Sequence, residues 1–159
     1  MLYIPLLLPD YKKTTNWKEL WDISFKVESI NLENIYNGCK NIVPHRKILK
    51  ICKTPENLIF SFQRFDFDNN IKNEIEIIYL GMLDIREYTD EKSEEQGKFI
   101  YNLYALVTHD GDLEFGHYKS FIKFNRFNEL YEFNDSIVNE YSSGNSLFKN
   151  AYILFYIKS

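Results

Sequence analysis

The chain has 159 residues, is 45% hydrophobic and 26% charged, and carries a formal net charge of −4. That is enough apolar material for one sizeable core, which excludes a disordered chain, and 6 Gly with 4 Pro exclude a collagen-like or linker-like one. Residues 1–57 hold 9 Lys+Arg against 6 Asp+Glu, whereas residues 58–159 hold 10 against 17. The acidic larger part lacks the basic stripe that a phosphate backbone requires, so no nucleic acid is expected as a partner, while a basic protein surface would be complementary.

Leu2 to Leu8 is apolar but ends at Pro9-Asp10 and has no basic stretch before it. It is too short for a membrane span and wrong for a signal peptide, so no membrane partner is expected. Tyr11 to Asn16 reads as a polar loop. Trp17, Leu20, Trp21 and Ile23-Phe25-Val27 fit a short amphipathic turn or a strand, and Asn31 to Gly38 fits a short helix. The pattern then changes to period two and to β-forming residues. Strands are predicted over 47–52, 58–65, 75–80, 99–109, 117–125, 130–134 and 151–157, each bounded by Gly, Asp, Asn, Pro or Ser. A turn cluster spans 66–70 and a charged surface loop spans 89–98. The coarse reading is an α+β chain dominated by an antiparallel sheet with little helix. The period-two placement of 13 Phe, 12 Tyr and 2 Trp assigns those rings to the core first.

Two of the three histidines lie close together. His109 falls in Thr108-His109-Asp110-Gly111, read as a turn between strands, and His117 falls in Phe115-Gly116-His117-Tyr118, where a strand begins. A lone histidine in a sheet is more often structural than catalytic. What raises His117 is its neighbourhood: Gly116 removes a side chain beside it so that another backbone can approach, and Phe133-Asn134-Asp135-Ser136 ends the next strand. In a hairpin, the start of one strand lies beside the end of its neighbour, so His117 and Asn134 or Asp135 could meet across the ladder. A base held by a carbonyl or a carboxylate is half of a nucleophilic triad.

An ordered set of motifs runs through the same residues. It comprises Tyr101-Asn102-Leu103-Tyr104-Ala105-Leu106-Val107, His109-Asp110-Gly111, Gly116-His117-Tyr118, Leu130-Tyr131-Glu132-Phe133-Asn134-Asp135-Ser136 and the closing Asn150-Ala151-Tyr152-Ile153-Leu154-Phe155-Tyr156. In order and spacing this resembles the C-terminal signature of the ubiquitin-specific proteases, the cysteine deubiquitinases. Leu58 to Phe65 looks like that family's strand ending in Lys-Arg-Phe, and the likeness before residue 57 is looser. The resemblance implies a papain-like cysteine protease fold, represented by its palm and fingers portion, with residues 1–57 fingers-like and 58–159 forming the palm sheet with the histidine box. It implies His117 as general base, Asn134 as the residue that orients it, and Asp135 as an auxiliary acid. Gly116 and Tyr118 would line the channel for the ubiquitin tail. Ubiquitin or ubiquitinated proteins are the implied partners, in the cytoplasm or nucleus.

The family places its nucleophilic cysteine in an upstream box that starts a helix. Cys39, in Asn37-Gly38-Cys39-Lys40, and Cys52, at the end of a predicted strand, do not match that box. Two cysteines are also too few for a disulfide framework and read as reduced intracellular thiols. The chain by itself is therefore expected to be inactive, with the nucleophile carried by a missing N-terminal half that would also cover an apolar face. The alternatives are a catalytically dead relative that binds ubiquitin or acts as a scaffold, and a different papain-like hydrolase that recruits Cys39 or Cys52. Zinc-binding relatives carry two Cys-x-x-Cys pairs in the fingers; Cys39, His45 and Cys52 make no such set, so no metal and no cofactor is expected.

Overall fold

The computed structural model describes residues 1–10, 13–30, 45–90, 98–124, 129–142 and 150–159. The first elements are strands β1 (Leu2–Leu7) and β2 (Thr14–Asn16), helix α1 (Trp17–Ser24), and strands β3 (Glu28–Ile30) and β4 (His45–Lys47). They are followed by β5 (Asn57–Gln63), β6 (Phe65–Asp66), β7 (Ile71–Lys72), β8 (Glu76–Ile78) and β9 (Met82–Asp84). The long strands come last: β10 (Ile100–Gly111), β11 (Gly116–Phe124), β12 (Glu129–Asn134), β13 (Ile137–Tyr141) and β14 (Ala151–Lys158).

Eight strands form one sheet in the order β1-β5-β14-β10-β11-β12-β13, with β9 also pairing to β10. All pairs are antiparallel except β1 on β5. Strand β10 carries β14 along one edge and divides the other between β9, at residues 100–102, and β11, at residues 105–111. Pro5 has no N–H to give, and it sits in β1, which pairs with β5 alone and forms the edge of the sheet.

The core lies over β1, β5 and β14. Ile4, Leu6, Leu58, Phe60, Phe62, Leu154 and Tyr156 are buried on one face, and α1 covers them with Trp17, Leu20 and Trp21. Those three positions are the i, i+3 and i+4 of one helical stripe. The helix starts where Asn16 accepts the Glu19 N–H at 3.1 Å while Thr15 donates to the Glu19 carboxylate. The Trp17 ring meets Phe60 edge-on at 4.4 Å, and Phe60 meets Tyr156 at 5.8 Å. The buried tyrosines give their hydroxyls to backbone carbonyls, Tyr156 to Leu80 and Tyr101 to Pro55.

A buried arginine ties the end of β5 to this core. The guanidinium of Arg64, 2% exposed, donates to Ala151 O at 2.8 Å, Asn73 O at 2.9 Å and Ile75 O at 3.0 Å. Burial lowers its pKa to about 10, and nearby Glu74 pulls it back upward.

The structure departs from the sequence reading in several places. The segment after Asn16 is a helix rather than a strand. Of the strand predicted over 47–52, Lys47 belongs to β4 and Ile51 makes one isolated bridge to Thr89, while Ile48 and Leu49 are exposed. Strand β13 was not anticipated. Residues 1–57 are divided, since β1 joins the main sheet and α1 packs on it. The helix expected over 31–38, and Cys39, lie outside the described residues, as does most of the charged loop.

Candidate active site

The site is built on the β10–β11 hairpin. Gly111 ends β10 at φ +106, where a Cβ would strike the Phe115 carbonyl, and the Asp112 carboxylate closes the loop by accepting from Phe115 N at 2.8 Å and Glu114 N at 3.0 Å. Those N–H donors hold its carboxyl below the usual pKa. The resulting register sets Asp110 opposite His117 and His109 opposite Tyr118. His109 is thus part of β10 itself, not of a turn.

Strand β12 then brings in the second residue. Ser120 pairs with Phe133, so one step further Lys119 faces Asn134, and His117, two residues from Lys119, lies diagonally across on the same face. The His117 Nε2 and Asn134 Oδ1 are 2.5 Å apart. An amide oxygen can only accept, so Nε2 carries the proton and the neutral ring keeps its lone pair on Nδ1. Such a ring can take a proton at Nδ1 without losing the bond that orients it.

Asp135 follows in the turn to β13, exposed and at φ 53. Among the described residues no hydrogen bond joins it to His117. The last position of β12 aims Asn134 at the imidazole, and the left-handed turn that begins at Asp135 leaves that residue exposed. On the same face as His117 lie a Lys119–Glu132 ion pair at 3.3 Å and a 2.5 Å bond from Asn150 to Asp110. With Thr108, Phe121 and Tyr141 they line a groove of about 170 Å³.

Gly116 and Tyr118 flank His117 on β11 but point to the opposite face, where they meet His109. A Cβ on Gly116 would collide with His109 Nε2, so the missing side chain admits an imidazole rather than another backbone. The His109 ring lies 4.5 Å from Tyr118, 5.3 Å from Phe65 and 6.1 Å from Tyr152. It is 3% exposed, and its Nδ1 has no hydrogen-bond partner among the described residues. Burial, followed by the charge of Lys72, pushes its pKa down from 6.5. His109 is a packing residue, whereas His117 is half-buried and held by Asn134.

The thiol of Cys52 is exposed and remote. Two residues on, Thr54 O binds Lys158, which pairs with Tyr101 at one end of β10, while His117 pairs with Asp110 nine residues along that strand. At about 3.3 Å per residue that is a separation on the order of 30 Å. Cys52 therefore cannot be the partner of His117. Among the described residues no group of three or more His, Cys, Asp or Glu could hold a metal ion.

Comparison with known proteins gives this arrangement its family. The sequence profile of the ubiquitin carboxyl-terminal hydrolases matches residues 10–156. The chain belongs to that family. It is 32% identical over 139 residues to a probable ubiquitin carboxyl-terminal hydrolase of Acanthamoeba polyphaga mimivirus, covering 85% of this chain and 30% of that protein. It is 36% identical over 138 residues to human ubiquitin carboxyl-terminal hydrolase 42, covering 84% of this chain and 10% of that one. Among solved structures it resembles a chain of the SAGA DUB module of Ubp8, Sgf11, Sus1 and Sgf73 bound to ubiquitin aldehyde, with TM-score 0.78 and 26% identity over 100% of this chain and 36% of the other. A related module bound to monoubiquitin gives TM-score 0.81 and 28% identity, covering 100% of this chain and 35% of that one. The sequence thus spans about a third of the solved chains it matches. Its fold is the β-rich C-terminal portion of the ubiquitin carboxyl-terminal hydrolase catalytic domain, with little helix.

Sequence reasoning missed the Lys119–Glu132 pair, which depends on the register of the β11–β12 hairpin, and Lys72, whose partners lie on the sequence-distant β10. No local pattern announces either.

Proposed function

We propose that this chain supplies the base and its orienting amide to a cysteine-type deubiquitinase, which hydrolyses the isopeptide or peptide bond at the ubiquitin C-terminus. The observation that carries the reading is the His117–Asn134 bond, which leaves Nδ1 free as an acceptor. In this reading a segment outside the present sequence brings a cysteine thiol to Nδ1. His117 takes the thiol proton, and the thiolate adds to the carbonyl carbon of the terminal glycine. The imidazolium then gives its proton to the departing amine, and water activated at Nδ1 hydrolyses the thioester. Asn134 keeps the ring in place through both transfers. Gly116 and Tyr118, the sequence neighbours of His117 on the opposite face of β11, are assigned to the channel for the ubiquitin tail, Tyr118 keeping 51% of its surface exposed. Asp135, at the adjoining turn, keeps the auxiliary role.

The test uses the protein with the upstream segment present and a fluorogenic ubiquitin amide. His117→Ala is expected to lower kcat/KM by about 10²–10⁴-fold, the range of positioned base catalysis. A loss smaller than about tenfold would remove His117 from the role. A second reading, a ubiquitin-binding module without turnover, is favoured by the distance of Cys52 from His117. It predicts that the present chain alone binds ubiquitin and that the longer protein does so without cleaving the amide.

A further inference from the structure

Lys72 stands outside the main sheet and yet binds two of its backbone carbonyls next to the ladder partner of His117. Strand β14 begins at Ala151, and among the described residues its last backbone bond to β10 in this direction is Asn150 O accepting His109 N at 3.2 Å. The N–H and C=O of one strand residue point to the same edge, so the carbonyls of His109 and Gly111 lie along the β14 edge of β10, and Lys72 reaches them there. Its Nζ donates to His109 O at 3.0 Å and to Gly111 O at 2.5 Å. The residue between those carbonyls, Asp110, is the ladder partner of His117, and Gly111 pairs with Gly116. A single side chain thereby ties together the three residues that hold the start of β11.

The base of Lys72 is itself fixed. In the β6–β7 hairpin Lys72 pairs with Phe65, and Asn73 N donates to Arg64 O at 2.7 Å just below it. Arg64 is buried and bonded to three carbonyls. The Asp66 carboxylate caps the hairpin turn through Asp68 N and Asn69 N, both at 3.1 Å. The ammonium is partly withdrawn from water, which lowers its pKa, and Glu74, Asp110 and Asp112 offset part of that cost of burial. An ammonium held there with two carbonyl acceptors is a fixed strut rather than a solvated surface charge.

Resting on the assignment of His117 as base, we infer that Lys72 is a positioning residue for it: by stapling the His109 and Gly111 carbonyls it sets the hairpin that aims the imidazole at Asn134. The staple touches no reacting atom and acts through the β10–β11 ladder alone. Displacing a catalytic group by about 1 Å can cost on the order of 10²-fold in rate, so a loose hairpin end has a measurable consequence.

The experiment follows the His117 Nε2–H proton by NMR, together with kcat and KM, in the full-length protein. In the wild type, the bond to Asn134 slows exchange of that proton with water. Asn134→Ala is the control that removes the bond. Lys72→Met keeps the stem and deletes the donors. It is expected to speed the exchange at least about tenfold and to lower kcat about 10- to 100-fold with KM within about twofold, whereas Lys72→Arg retains slow exchange. A folded Lys72→Met protein with wild-type exchange overturns the inference. If Lys72→Met does not fold, Lys72→Gln, which reaches at most one carbonyl, is expected to exchange at an intermediate rate, and a wild-type rate overturns the inference equally. Failure of all three Lys72 variants to fold makes the residue a fold determinant only and overturns the positioning role. If instead Asn134→Ala leaves the exchange unchanged, the assignment of His117 and Asn134 fails, independently of Lys72.

Discussion

His109 and His117 lie eight residues apart on paired strands and live in opposite surroundings. One ring is buried among aromatics with its Nδ1 unbonded, and the other is half-buried with Nε2 held by Asn134. The divider is Gly116, whose absent Cβ makes room for the His109 ring on one face while His117 projects from the other. Gly116→Ala is therefore expected to act through His109. The ring is boxed in by Tyr118, Phe65 and Tyr152, so the collision cannot be relieved by a small rotation and passes into β11. A destabilisation of about 1–3 kcal/mol is expected, as for overpacking elsewhere. His109→Ala in the same chain should cancel about 1–2 kcal/mol of it, because the two positions are in contact. Urea unfolding of the four proteins of the cycle measures the coupling, and strict additivity would refute this account of Gly116. At this scale the pairing of His117 with the end of β12 was legible from spacing and hairpin logic. Spacing alone left Asn134 and Asp135 open, because a single step of register flips a side chain to the other face, and the family resemblance was what singled out Asn134.

The elements differ in how far they could be foreseen, for reasons that Arg64 makes concrete. Its guanidinium gathers carbonyls from the start of β14 and from the segment between β7 and β8, so three pieces of chain converge on one side chain. In Arg64→Met those carbonyls stay buried without their donor, at about 1–3 kcal/mol each, and a loss of at least 3 kcal/mol overall is expected. Arg64→Lys should recover less than half of it, since a point ammonium cannot reproduce the divergent N–H directions of the fork. Thermal unfolding of both variants tests this; near-equal stability of Arg64→Lys and wild type would contradict the convergence argument. Strands β5, β10, β11, β12 and β14 were readable because each alternates large apolar residues against a turn signal. Helix α1 was ambiguous because Trp17, Leu20 and Trp21 have helical spacing while Ile23, Phe25 and Val27 alternate, and the Asn16 cap decided between them. In β1 Ile4 and Leu6 are buried, but Pro5 between them and the apolar run from Leu2 to Leu8 hid the alternation of an edge strand that pairs in parallel, and β13 is mostly exposed and carried no core pattern.

Across the whole molecule the part of the core under α1 and the site occupy different parts of one sheet, and Leu106 and Phe121 carry the core from one to the other. Helix α1 covers the β1–β5–β14 half, whereas His117, Asn134 and the Lys119–Glu132 groove lie on the β10–β13 half. The two meet at His109, where β6 supplies Phe65, β7 supplies Lys72, β14 supplies Tyr152 and β11 supplies Tyr118. This junction should respond to mild acid. Burial lowers the pKa of His109 below its unfolded value of 6.5; Lys72 and Arg64 push in the same direction, and Asp110 and Asp112 oppose. Between the two pKa values the unfolded chain binds more protons than the folded one, so stability rises with pH there. The contribution of His109 is fully present above about pH 6.5 and is lost as pH falls through the lowered value. Asp66 and Asp112, whose carboxyls are held below their usual pKa by backbone N–H donors (and, for Asp66, the Asn69 side chain), add their own loss mainly below about pH 4. The two windows are separate. Urea midpoints measured from pH 7.5 to 5 should fall for the wild type and fall less for His109→Gln, which cannot titrate. An identical slope in the two proteins would mean that the junction does not sense the proton and that the acid response arises elsewhere in the sheet.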